Sequence, residues 1–163
     1  MKKEIEKKGI VLAEVLVSVF ILSVILVVLI SANNLYLKSS SSNILSAQAA
    51  YLSEEGIEAT HTIINRSWSG FSSLSTSTTY YLYFSATSSS WNLVTSTSSA
   101  TLTGIFTRKI KIYSVSRDLD HKIVNSGGTN DPNTKRVISE ISWLDRGQAK
   151  TRSLTSYFTN LEN

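Results

Sequence analysis

One acid stands in an apolar solvent. Glu14 is the fifth residue of the run IVLAEVLVSVFILSVILVVLISA, residues 10–32, whose other side chains are apolar or serine. A charged group at the centre of a membrane helix costs about 2.5–3.5 kcal/mol on insertion scales, and less near the helix end. A glutamate this close to the end can simply reach the membrane interface. Its position also suggests a partner. If the chain is cut after Gly9, Ile10 becomes the new N-terminus and its ammonium lies one helical turn from Glu14. That amine, in the same helix or in a neighbouring copy, would neutralise the carboxylate. Two charges desolvated together across neighbouring chains act as a registration device for stacked helices.

Other chemistry is sparse. There is no cysteine, which excludes disulfides, thiolate metal sites and cysteine nucleophiles. The sequence contains no Gly-rich phosphate loop, no HExxH and no nucleophile–histidine–carboxylate set, so no catalytic residue and no cofactor is expected. His61 has no second ligand at helical spacing. His121 sits among Asp118, Asp120 and Lys122, and Asp118-x-Asp120 with Asp131 and Asn133 could offer oxygen ligands to calcium. The spacing of an EF-hand loop is absent, and a solvated loop with no metal is the expectation. Net charge is +4, of which four lysines against two glutamates in the first nine residues supply +2. What remains is too little for a nucleic-acid footprint.

Positioning Glu14 is the task of the N-terminal 66 residues. Residues 1–9 form a short, mostly basic leader ending Lys7-Lys8-Gly9. Residues 10–32 number 23, a helix of roughly 34 Å and long enough to cross a bilayer. β-Branched residues dominate, but in lipid a helix is the single-segment solution. The leading lysines, against the lone Lys38 beyond, place the N-terminus in the cytoplasm and the rest outside. A secretory signal with cleavage after Ala32 competes, although its apolar core would be shorter, about 7–15 residues.

Residues 33–66 continue the helix, with a weak spot at Lys38-Ser39-Ser40-Ser41-Ser42-Asn43 that reads as a flexible joint or a frayed turn. Leu45, Ala49, Leu52, Gly56, Ala59 and Ile63 then recur at three- and four-residue spacing, a stripe of small and apolar residues on which a sheet packs. Glu54, Glu55 and Glu58 fall on the wetter face.

Residues 67–163 form the remaining segment. Residues 67–104 are Ser/Thr-rich but carry too many aromatics for disorder, and residues 80–85 and 91–95 read as short strands joined by the turn Ser88-Ser89-Ser90. Residues 106–115 read as a strand with Phe106, Arg108, Ile110, Ile112 and Ser114 on one face and Val115 on the other. Residues 125–133 read as a turn-rich loop. Two more strands cover residues 137–144 and 150–158, with a turn at 145–148. The fold class is α+β: a long N-terminal helix, membrane-spanning in its first half, packed by its second half against an antiparallel sheet.

Lys-Lys-Gly, an apolar residue, then glutamate at the fifth position of a long apolar helix resembles the prepilin signal of the type IV pilin superfamily. The run Glu14-Val15-Leu16-Val17-Ser18 is more similar to minor pilins and minor pseudopilins, the PilV and GspI type, than to major pilins. Two departures stand: Ile10 replaces the usual phenylalanine, and the proline and glycine that often interrupt this helix in major pilins are missing from residues 10–32. The resemblance implies a pilin-like fold and a structural role rather than an enzymatic one. It implies cleavage between Gly9 and Ile10 by a prepilin peptidase, N-methylation of Ile10, and storage in the cytoplasmic (inner) membrane. It further implies incorporation, through an inner-membrane assembly platform, beside other major and minor pilin subunits in an extracellular filament. There Glu14 would set axial register. The alternative from the residues alone is a single-pass membrane-anchored extracellular binding or adhesion protein outside any filament.

Overall fold

The computed structural model describes residues 2–76, 78–97, 101–102 and 104–161. Met1 of the leader and positions 77, 98–100 and 103 of the Ser/Thr-rich stretch lie outside the described residues. The chain divides into two compact units, Met1–Ile44 and Leu45–Asn163.

Helix α1 runs Lys2–Arg66. Within the first unit its sequence is rich in valine and isoleucine, which lose side-chain freedom in a helix. No proline or glycine interrupts it between Gly9 and Gly56. Its serines do not compete with the ladder, because they fold back onto it. Ser18, Ser23 and Ser31 donate to the carbonyls of Glu14, Val19 and Val27, each at 2.8 Å. The helix passes through residues 38–43 without a break, since the few tenths of a kcal/mol that each poor helix former costs are outweighed by cooperative propagation from both sides. It stops at Arg66, where Ser67 turns to extended angles (φ −160°, ψ 101°). The Ser67 hydroxyl accepts from the Gly70 N–H and so caps a short helix α2, Trp68–Ser72, which the low-complexity sequence did not announce.

The second unit also holds the sheet. Its strands are β1 (Thr79–Ser85), β2 (Ser90–Val94), β3 (Thr101–Leu102), β4 (Phe106–Arg117), β5 (Ile123–Val124), β6 (Thr129–Asp145) and β7 (Gln148–Thr159). Among the described residues the path is β2-β1-β4-β6-β7, with β3 and β5 each paired to β4, and every pairing is antiparallel. Long N-terminal apolar helix and antiparallel sheet together make the chain α+β.

Two sequence expectations need correction. Residues 125–133 are not wholly loop, because β6 already begins at Thr129. The reason is a register shift in the β4–β6 ladder, where Ser114 pairs with Lys135 but Val115 pairs with Asp131. Pro132 sits among the skipped residues, where no ladder N–H is required. The same shift reverses the expected faces at the end of β4: Val115 is buried and Ser114 exposed. Strict alternation would have left the valine in water; the irregularity turns it inward.

Between β6 and β7 the pairing Asp145↔Gln148 closes a two-residue turn with Arg146 at φ 53° and Gly147 at φ 80°. Positive φ at both central positions is the type I′ geometry that matches strand twist. The core lies between the inner face of β4 and β6 and the second-unit part of α1. One cluster gathers Ile57, Phe71, Tyr80, Leu82, Ile110, Ile112 and Val137, and a second gathers Ala49, Phe106, Ile141 and Trp143.

Candidate functional site

Cleavage at Gly9–Ile10 would fall within α1, whose helical backbone covers both residues and continues through Glu14. Positions 10 and 14 are one turn apart on the same side of a helix. Glu14 is exposed, and none of the described side chains pairs with its carboxylate. The serine hydroxyl nearest in sequence, that of Ser18, is spent on the Glu14 carbonyl. Around it Val11 (58% exposed), Val15 and Leu16 are uncovered, and so are Phe20, Ile25, Leu29 and the other large apolar side chains onward to Leu37. Apolar surface on this scale is not left in water by a folded protein. The helix is long and apolar enough to cross a membrane, and in a bilayer these side chains meet lipid or other helices.

The helix–sheet packing residues lie in the second unit. Ala49, Gly56 and Ala59 are buried, while Leu45, Leu52 and Ile63 are half-buried and pack against the two core clusters. The buried stripe is wider than the small-residue spacing suggested, adding Ser53, Ile57, Thr60 and Ile64. The hydroxyls of Ser53 and Thr60 are tolerated because they donate to the carbonyls of Ala50 and Gly56.

At the centre of this packing is a group that sequence reasoning missed. The Arg108 side chain is 2% exposed, yet its guanidinium reaches Glu55 at 3.1 Å and the Leu52 carbonyl at 3.4 Å. It also lies 5.6 Å from the centroid of the Trp91 ring, within cation–π range. Gly56 makes the passage possible. A Cβ there would collide with Ser139 Oγ and stand 3.1 Å from Arg108 Cδ. All three acids expected on the wetter face are exposed, and Glu55 is in addition the counter-ion of the buried Arg108. The signal was available: Arg108 occupies an inward position between Phe106 and Ile110.

The oxygen-rich loop is engaged with itself. Asp131 binds Arg117 at 2.6 Å and accepts from the Asn133 N–H, and the Arg117 hydrogen bond holds the Asp131 carboxyl below its ordinary value. Asp118 accepts from the N–H groups of Asp120 and Lys122, and His121 sits at φ 62°. His61 stacks on Phe158 at 5.5 Å. Among the described residues no three His, Cys, Asp or Glu side chains gather as metal ligands. On the outer face, Lys111 binds Glu140 at 2.8 Å, which raises the Lys111 pKa. Comparison with family models, with curated proteins and with solved structures returned no match to this chain.

Proposed function

We propose that this chain is a minor pilin or pseudopilin, a structural subunit of a type IV pilus-like filament. A prepilin peptidase cuts between Gly9 and Ile10 on the cytoplasmic side and methylates the Ile10 amine. The apolar helix stores the subunit in the membrane and then packs with other subunits, where hydrophobic burial holds the bundle and Glu14 with an Ile10 amine fixes axial register. The antiparallel sheet beside the second part of α1 is the pilin-like head.

One observation carries the reading: a single carboxylate, uncovered and unpaired among the described side chains, one turn beyond Lys7-Lys8-Gly9-Ile10 in an uncovered apolar helix. A carboxylate desolvated in that surrounding is stabilised by a cation, and removal of the leader creates one at Ile10, one turn away.

The test is the native N-terminus, read by intact mass and Edman degradation of the membrane-expressed protein. A start at N-methylated Ile10 is expected, and replacing Gly9 with a bulky residue should leave the leader in place. A start at Met1 overturns the reading in favour of a membrane-anchored binding protein, and a start at Asn33 in favour of a secreted domain. Glu14→Ala should insert normally yet enter filaments at least about tenfold less, the factor that ~1.4 kcal/mol of lost pairing produces. Normal incorporation of this variant would remove the register mechanism.

A further inference from the structure

On the sheet face turned away from α1, Arg136 stands in a row between two tyrosines, pairing with Tyr113 on β4 and Tyr157 on β7. Its guanidinium carbon lies 4.8 Å from the Tyr113 ring centroid, within cation–π range. Its Nε–H is buried and has no acceptor among the described residues. Arg136 lines a small cavity of about 80 Å³ where β4, β5, β6 and β7 meet beside the register shift. Ser114, Ser116, Asn125 and Tyr157 add three hydroxyls and an amide, and among the described residues Arg136 is the only charged one in the lining. Asp131, across the ladder from Val115, is bound by Arg117 at 2.6 Å and makes no ion pair with Arg136.

We propose that this cavity is a binding site for one carboxylate group. A carboxylate accepts two parallel N–H bonds from the planar arginine fork, and its single negative charge matches the single cation of the lining. A phosphate dianion would leave excess charge in a site with one arginine. The hydroxyls and the amide satisfy the remaining oxygen lone pairs. The cavity exceeds the ~30 Å³ share of one water but takes a carboxylate rather than a whole sugar ring. A larger ligand, such as a uronic acid, would insert its carboxylate and leave its ring outside, against Tyr157.

The full-length chain in detergent micelles, labelled with ¹⁵N-arginine, tests this through the Arg136 Nε–H resonance. Sodium acetate, sodium glucuronate, glucose and sodium chloride are titrated at matched ionic strength. Saturable shifts are expected with acetate and glucuronate, and none with glucose or chloride. Glucuronate binding tenfold or more tighter than acetate assigns an acidic sugar; equal affinities assign a bare carboxylate. Ser116→Val and Tyr157→Phe, which keep Arg136 and its resonance, should each weaken acetate at least threefold; unchanged acetate affinity in both variants would overturn the proposal. Acetate shifts no larger than those with chloride, or glucose binding as well as glucuronate, would overturn the proposal.

Discussion

Glu14 and Glu55 lie on one helix and meet opposite solvents. Glu55 has its cation within the chain: Arg108, buried beneath the helix, reaches it at 3.1 Å. Glu14 has no such partner among the described side chains and is surrounded by uncovered valine, leucine and phenylalanine. The second-unit part of α1 buries one face on the sheet, so its stability is tertiary and belongs to this chain. The apolar part is 0% buried over its most hydropathic window, and its side chains must be covered by something else. A change near Glu55 should therefore alter unfolding of the sheet unit and spare membrane insertion. A change at Glu14 should do the reverse.

The sharpest attempt to break this contrast is Arg108→Ala. It removes a large side chain from the core and leaves Glu55 and the Leu52 carbonyl without their donor. We expect a loss of about 3–5 kcal/mol, read by urea unfolding of the full chain in detergent with tryptophan fluorescence. Because Glu55 is 47% exposed, Glu55→Gln should cost clearly less. Equal losses would mean that the ion pair, and not packing around a buried arginine, holds α1 to the sheet.

Gly56→Ala comes next. Its added methyl meets Ser139 Oγ and Arg108 Cδ, and overpacking of this kind costs typically 1–3 kcal/mol. Ser139 Oγ is buried without a hydrogen-bond partner among the described residues, so Ser139→Ala alone should be neutral or stabilising. Combined with Gly56→Ala it should recover most of the loss. Full additivity of the two changes in the same unfolding assay would show that they do not touch. A smaller effect, about 1 kcal/mol, is expected for Gly147→Ala, where a φ of 80° strains any Cβ.

What the sequence disclosed follows the same division. The apolar helix was plain because composition alone decides it: residues 10–32 allow little else. The β6–β7 hairpin was also legible, since Asp145-Arg146-Gly147-Gln148 carries its own turn chemistry. Less legible was whatever depends on an element distant in sequence. Arg108 was placed on the inner face by alternation, but nothing local said that Glu55, 53 residues earlier, would receive it. The register shift at Ser114/Val115 skips residues 132–134 of the partner strand, a local break that alternation along β4 cannot reveal, so simple alternation put Val115 on the wrong face. Helix α2 hid in low-complexity sequence because a single cap, Ser67 to Gly70, starts it. The Arg136 cavity was invisible because its lining comes from four strands and the loop after β5.

The smallest predicted effect concerns pH and again separates the two glutamate settings. Asp131 is held below its ordinary pKa, first by the hydrogen bond from Arg117 and then by Thr134. A carboxyl depressed on folding stabilises the protein fully above its unfolded value, about 3.9, and that contribution disappears as pH falls through the folded value. Lys111 is raised by its hydrogen bond to Glu140, so its contribution is complete below the ordinary lysine range and disappears as pH climbs above it. Sheet-unit stability should therefore decline on both limbs. Asp131→Asn should flatten the acid limb and Lys111→Met the alkaline one, each by about 1 kcal/mol or less, since both pairs are partly solvated. Glu14→Ala should leave both limbs unchanged in urea unfolding measured across pH. If it moves the acid limb, the carboxylate at position 14 takes part in the stability of the sheet unit, and the opposition between the two glutamates fails.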